Sequence, residues 1–390
     1  MPCRQPGSPT DERLPDVAAP ACPVSNRAAT VGTIATGVTT TSGPTRTVTL
    51  HDVARAAGVS TATVSRAFNR PDAVRETLRQ RVQSAAAELR YIPNDAARAL
   101  VSNRSRVIGA IVPTIDNAIF AQGIAAIQAR LERAGYGLLL AACDYDLDRE
   151  LAQARTMVGR GVEALVLVGA AHRPGMRELL HRHAIPYVCQ GAFAPAQEPA
   201  CVGFDNRRAA YVATRYLLLL GHRRIGMIAG VQRDNDRAAA RVAGVHDALV
   251  EAGLTGAAAD TTAGSSTARW LAESSYSFDA ARIATRHMLD AEVPVTALVC
   301  GNDILAFGAL RECQARGIDV PGQVSIVGFD DLALARLATP ALTSVRIPTA
   351  QMGEAAADFL LASLAGGTPQ AVEVPFKLVL RASTGPVPAS

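Results

Sequence analysis

Three side chains at adjoining positions of one predicted helix have the chemistry to read DNA bases. Arg66 can present its guanidinium fork to a guanine edge, while Ala62 and the methyl of Thr61 can pack on thymine methyls. They belong to the stretch TLHDVARAAGVSTATVSRAFN, which reads as helix, tight turn through Gly58-Val59, and a second helix capped by Ser60. Val53, Ala54, Ala57, Val59, Val64 and Ala67 are spaced to form its core. That leaves Thr61, Ala62, Ser65, Arg66 and Asn69 outward, with the first turns of the second helix in the major groove. Thr47, Thr49, Ser60, Thr63, Ser65 and Asn69 are the candidate phosphate contacts. A helical hairpin inside a larger core is the alternative reading.

A second DNA-directed segment is YIPNDAARALVSNRS. Asn94 can cap a short helix from Asp95 to about Ser102, marginal by itself in water. Leu100 is its one large apolar side chain, on a face of Ala96, Ala97 and Ala99. An exposed leucine there fits a wedge pushed into the minor groove; a leucine packed against the body is the plainer option. Arg98 and Asn94 join Leu100 as candidate DNA contacts. From Thr47 to Arg106 ten arginines face five acids, a balance of +5 against +4 for the whole chain, so the remainder is near neutral. A basic domain on a neutral body is the footprint of a nucleic-acid binder, although a solvated basic face fits the charge count equally.

The elements that position these groups can be read in outline. Residues 1–46, rich in Pro, Thr, Ser, Gly and Ala, read as a disordered leader. Helices are expected over about 50–57, 60–69 and 75–89, the last after the Pro71-Asp72 break, and Pro93 ends that unit. From Val107 apolar runs alternate with helical stretches: VIGAIVP, LLLAAC, ALVLVGA and PYVCQ, then IGMIAG, ALVCGN and VSIVGFD. Such alternation means parallel sheets covered on both faces, an α/β doubly wound fold in two lobes. Ligands in that fold bind beyond the C-terminal strand ends. Asn302, Asp303, Asp330, Asp331, Asp205 and Asn206 follow strands and could pair with polyol hydroxyls. For Asp303 and Asn206 a helix cap or turn role is the preferred reading.

Other chemistries find little support. The seven histidines show no spacing with Ser, Cys or carboxylates that makes a triad, and no P-loop or GxGxxG follows a strand. An enzyme is therefore not expected. The seven cysteines are scattered, lack CxxC spacing, and read as buried free thiols. No metal or other cofactor is expected. No apolar run reaches the ~18 residues of a membrane span, and the N-terminus lacks the apolar core of an export signal, so a cytoplasmic location and no membrane partner are expected. A transporter's solute-binding protein would share the two lobes, but it would need such a signal and has no use for residues 47–103.

The motif LHDVARAAGVSTATVSR, followed by YIPN and the Leu100 segment, resembles the lactose/purine-repressor (LacI) family of transcription regulators. The likeness continues through PTIDNAIF, GFDN at 203–206, LGHRRI at 220–225, Asn302-Asp303, GFDD at 328–331, PALTSV and Met352-Gly353. It covers about Thr47 to Ser383. It implies a homodimer on a pseudo-palindromic operator, with paired hinge helices that each insert Leu100. It divides the chain into a helix-turn-helix domain (47–93), a hinge and linker (94–106) and an effector-binding and dimerisation domain (107–385). Within the last, lobe 1 takes about 107–206 and 347–372, and lobe 2 about 207–346 and 373–385. It also implies effector contacts at Arg241, Asn302 and Asp330, an aromatic stack from Tyr276, and a wall of Ile119 and Phe120. For those two, core packing is the plainer option. Asn117, the GFDN segment and Ser274-Ser275-Tyr276-Ser277 look most similar to the gluconate-repressor branch, which favours a sugar or sugar acid as effector. One departure is Arg75, where the family usually starts the third helix with Ser or Thr; the weaker cap costs about 1 kcal/mol.

Overall fold

The structure, a computed structural model, describes residues 48–92, 104–254 and 270–388. The chain divides into two units, one ending at Tyr91 and the other starting at Ile92. The first holds three helices, α1 (Leu50–Ala56), α2 (Thr61–Asn69) and α3 (Glu76–Glu88). The first two starts have a visible local cause. Thr49 and Asp52 form a reciprocal capping box on α1, and the Ser60 hydroxyl accepts the Thr63 N–H at 3.2 Å on α2. Gly58 makes the turn between them at φ +61°, where an L side chain is strained. Arg75 stands at the start of α3 without a side-chain cap bond. Val53, Val64 and Val82 are fully buried among Ala54, Ala57, Ala67, Ala85 and Ala86, with Val59 packed partly buried beside them. Small residues let three short helices approach closely, and each buried valine contributes about 1.5–3 kcal/mol.

The second unit alternates strand and helix. It runs β1 (Val107–Val112), α4 (Ala118–Arg133), β2 (Gly137–Ala142), α5 (Leu147–Gly159), β3 (Ala164–Val168), α6 (Pro174–Arg182), β4 (Tyr187–Gln190) and β5 (Cys201–Gly203). There follow α7 (Asn206–Leu219), β6 (Ile225–Gly230), α8 (Asp236–Glu251), β7 (Leu271–Ser274), α9 (Phe278–Leu289), β8 (Ala297–Cys300) and α10 (Asp303–Ala315). The chain closes with β9 (Ser325–Asp330), β10 (Thr343–Arg346), α11 (Thr349–Leu364), β11 (Val372–Glu373) and β12 (Lys377–Val379). Two six-stranded sheets result, ordered β11-β5-β4-β3-β1-β2 and β12-β10-β9-β8-β6-β7. All pairings are parallel except β10 with β12.

This is the doubly wound α/β architecture in two lobes. The chain crosses between sheets three times, after β5, after β10 and after β11. Every residue of β6, β8 and β9 is buried, as expected of strands covered on both faces. The run LLLAAC differs: its strand β2 lies at a sheet edge, and Leu140 is partly exposed there. Helices α7 and α8 pack closely because Gly244 has no side chain. A Cβ at that position would overlap the Arg207 carbonyl and come within 3.0 Å of the Tyr211 nitrogen. His222, in LGHRRI, is wholly buried and bonds Thr296 Oγ1 (3.0 Å), Ser325 Oγ (3.1 Å) and the Gly385 carbonyl (3.1 Å). It staples the C-terminal segment to the second sheet, and burial holds its pKa below the usual imidazole value. The five cysteines among the described residues are free and buried. No described helix is long and apolar enough to cross a membrane.

Candidate DNA interface and effector cavity

Helix α2 turns Val64 and Ala67 into the core, and that orientation sends Thr61, Ala62, Arg66 and Asn69 to the surface. Thr63 and Ser65 lie half-buried beside them. Among the described residues no ion pair occupies the Arg66 guanidinium. Several hydroxyls already have local work: Thr49 caps α1, Ser60 caps α2 and hydrogen-bonds Thr63 Oγ1 at 2.9 Å, and Ser65 Oγ accepts from Asn69 Nδ2 at 3.1 Å. Those five positions can also meet a DNA backbone with the polar groups they leave outward. Thr47, Asn94, Arg98 and Leu100 lie outside the described residues.

In the second unit a cavity of about 70 Å³ opens between the two lobes, at the C-terminal ends of β1, β3, β4 and β9. All six residues expected there line it. Ile119 and Phe120, from the first turn of α4, give an apolar wall with Val112 and Phe204. Arg241 projects from α8, Tyr276 precedes α9, Asn302 precedes α10 and Asp330 ends β9.

Arg241 is held firmly. Its Nε donates to Asn206 Oδ1 at 2.9 Å, its Nη1 donates to the Gly301 carbonyl at 2.6 Å, and its Cζ lies 3.9 Å over the centre of the Phe329 ring. Burial lowers its pKa from the usual guanidinium value, partly offset by Asp330. Asp330 is 6% exposed, and its Oδ1 has no hydrogen-bond partner among the described residues. Burial drives its pKa well above the carboxylate range against the pull of Arg241. Its φ of 109° is rare for a side-chain-bearing residue, and such strain gathers at ligand sites.

The strand-end reading needs two corrections. Asn206 does not cap α7; Asp205 does, accepting the Arg208 N–H at 2.8 Å. Asn206 is buried and bridges Arg241 to the carbonyls of Gly191 (2.9 Å) and Phe204 (3.3 Å). Nor is Asp303 a cap: Asn302 caps α10, accepting the Leu305 N–H at 2.9 Å while also lining the cavity. Asp303 instead accepts from Leu332 N and Ser344 Oγ, both at 2.6 Å, and burial raises its pKa to about 7. Asp331 is spent on ion pairs with Arg346 and Arg381, both at 2.6 Å.

Other lining residues were not singled out by sequence: Tyr145, Gln190, Asn235 and Arg237. Gln190 ends a strand and was within reach of the strand-end rule. Tyr145 was not, because a loop after β2 carries it across the cleft. There it stacks on Tyr276 with ring centres 5.2 Å apart, while Asn235 Nδ2 donates to the Tyr276 hydroxyl at 3.1 Å. The lobes also meet where Asp236 Oδ2 accepts the Ala170 N–H at 2.9 Å.

A helix-turn-helix unit joined to a two-lobed body with a cavity in its cleft defines a DNA-binding regulator class. Residues 49–94 match the family model for bacterial regulatory proteins, lacI family, and residues 214–384 match that for the periplasmic binding protein-like domain. The HTH-type transcriptional repressor CytR of Escherichia coli (strain K12) is 33% identical over 318 residues, 82% of this chain and 90% of CytR. The Lac repressor dimer bound to operator and the anti-inducer ONPF superposes with a TM-score of 0.75 at 25% identity, covering 87% of this chain and all of that one. The transcriptional regulator CelR–cellobiose complex superposes at 0.62 with 28% identity, covering 86% and 99%. The chain belongs to the lacI family of bacterial regulatory proteins, and is a DNA-binding transcription regulator and not an enzyme.

Proposed function

We propose that this regulator is a repressor whose operator affinity is set by a sugar or sugar acid bound between the lobes. The observation that carries the reading is Asp330. A buried carboxylate oxygen without a donor costs about 1–3 kcal/mol, and a ligand hydroxyl in the adjoining cavity would satisfy it. Arg241, fixed opposite, would take a second hydroxyl or a carboxylate, and Tyr276 offers a ring face to a sugar. Asn302 supplies a further polar group, with Ile119 and Phe120 closing the apolar side. Arg241 fits the carboxylate of an acid such as gluconate, and it would fit a neutral sugar too. CelR is described in complex with cellobiose, and the Lac repressor bound to the anti-inducer ONPF.

On the DNA side Thr61, Ala62 and Arg66 would meet base edges, with Thr49, Ser60, Thr63, Ser65 and Asn69 on phosphates. Asn94, Arg98 and Leu100 would form the hinge contacts, Leu100 as the minor-groove wedge. The working units are then 47–93 for DNA, 94–106 for hinge and linker, and 107–385 for effector and dimerisation. Two copies would bind a pseudo-palindromic operator, as the Lac repressor dimer binds its own. An effector that prefers the DNA-free form must weaken operator binding by the same factor.

Fluorescence anisotropy of the protein on its own upstream DNA, at fixed salt, tests this with a panel of sugars and sugar acids. Specific binding relaxed by one compound supports the proposal. Specific binding that no compound changes removes the sugar reading.

A further inference from the structure

Asn206 stands where the chain first passes from one sheet to the other, at the first residue of α7. It is 3% exposed. Its carboxamide is used on both sides. The two Nδ2 hydrogens go to the carbonyls of Gly191 and Phe204, at the lobe 1 edge of the cavity, and Oδ1 accepts Arg241 Nε from lobe 2. The partners fix the amide's orientation, since a guanidinium only donates and a carbonyl only accepts. Arg241 then reaches Gly301, at the end of β8 in lobe 2.

We propose that Asn206 is a positioning residue that makes the orientation of Arg241 and the lobe 1 strand end one mechanical unit at the crossing. A ligand that moves Arg241 must then pull on Gly191 and on the crossing backbone, and a change of lobe angle must move Arg241. The use of this coupling in effector response rests on the cavity reading above, but the coupling itself is a property of the ligand-free chain.

Hydrogen exchange by mass spectrometry on the full chain without ligand tests it. Asn206→Ala cuts both sides, so segments 187–193 and 299–305 should each exchange at least tenfold faster. Segment 137–142, on the far edge of lobe 1, should keep its wild-type rate. Asn206→Asp keeps an acceptor for Arg241 but sets a carboxylate against two carbonyls. It should loosen 187–193 and spare 299–305. Arg241→Ala combined with Asn206→Ala should loosen 299–305 no more than Arg241→Ala alone, because Asn206 reaches that segment only through Arg241. Wild-type exchange at 299–305 in Asn206→Ala, or equal loosening of both segments in Asn206→Asp, would overturn the proposal. Should Asn206→Ala loosen the whole unit, Asn206→Asp decides. Calorimetric titration of the wild type with D-gluconate and cellobiose reports on the cavity reading separately, since failure to bind either leaves the exchange result standing.

Discussion

Replacing Asp330 with Asn should stabilise the ligand-free protein. Asp330 is buried, and its Oδ1 lacks a donor among the described residues. Two effects oppose each other. Burial penalises the charge, and Arg241 attracts it. The raised pKa gives the sign: burial outweighs Arg241, so the ionised form is net unfavourable in the folded chain. Asn removes the charge at nearly constant volume, and Arg241 keeps Asn206, Gly301 and the Phe329 ring. Asn keeps the unpartnered oxygen, so the gain is what remains of the burial penalty on the charge after the attraction of Arg241, on the order of 1–3 kcal/mol, which raises Tm by roughly 2–4 °C per kcal/mol in a domain of this size. The pH dependence is specific. A carboxyl whose folded pKa is raised carries its penalty above that pKa and sheds it as pH falls toward the unfolded value of 3.8. The stability difference between the Asp330→Asn variant and wild type should therefore be largest at high pH and shrink on acidification. Thermal unfolding of both proteins from pH 8 to pH 4 measures it. Loss of the charged acceptor should also weaken the effector found in the anisotropy panel by about tenfold to a hundredfold. A variant less stable than wild type at pH 8, or a difference that grows on acidification, would refute the reasoning.

Arg66→Ala should cost about 1–3 kcal/mol of operator binding and relax preference at one base pair; an equal loss on every sequence in a competition assay would make Arg66 a phosphate contact. Gly244→Ala should destabilise the second unit by about 1–3 kcal/mol, because α7 and α8 cannot separate locally; denaturant unfolding at wild-type midpoint would contradict it. His222 is buried neutral with a lowered pKa, so the unfolded chain takes up its proton first. Stability should be complete above the unfolded imidazole value of 6.5 and fall as pH drops below it. His222→Gln should lack that portion of the slope when unfolding is compared at pH 7.5 and 5.5.

Much of the architecture was legible because its causes are local. Thr49 with Asp52, Ser60 and Gly58 mark the helix-turn-helix boundaries by capping and turn chemistry, which neighbouring residues decide. The apolar runs of β6, β8 and β9 announced buried parallel strands by composition. Arg241, Tyr276, Asn302 and Asp330 were legible at the cavity through family likeness, and two of them also through position after a strand.

The sequence by itself thus determined the capped helices, the alternating elements and the basic N-terminal unit. Tertiary structure decided which polar group does what once the strands were side by side. Asn302 and Asp303 are neighbours in the chain, yet one caps a helix in the cavity and the other ties Leu332 to Ser344. Asp330 and Asp331 are likewise adjacent, and neither Oδ1 has a hydrogen-bond partner among the described residues, yet Asp331 is ion-paired with two arginines while Asp330 lines the cavity. Asn206 reads as a turn residue until Gly191, 15 positions earlier, and Arg241, 35 positions later, arrive on either side of it. Local chemistry fixes where an element begins; the partner of a buried polar group is set by residues far away in the chain, brought near only when the core packs and every such group must find a bond.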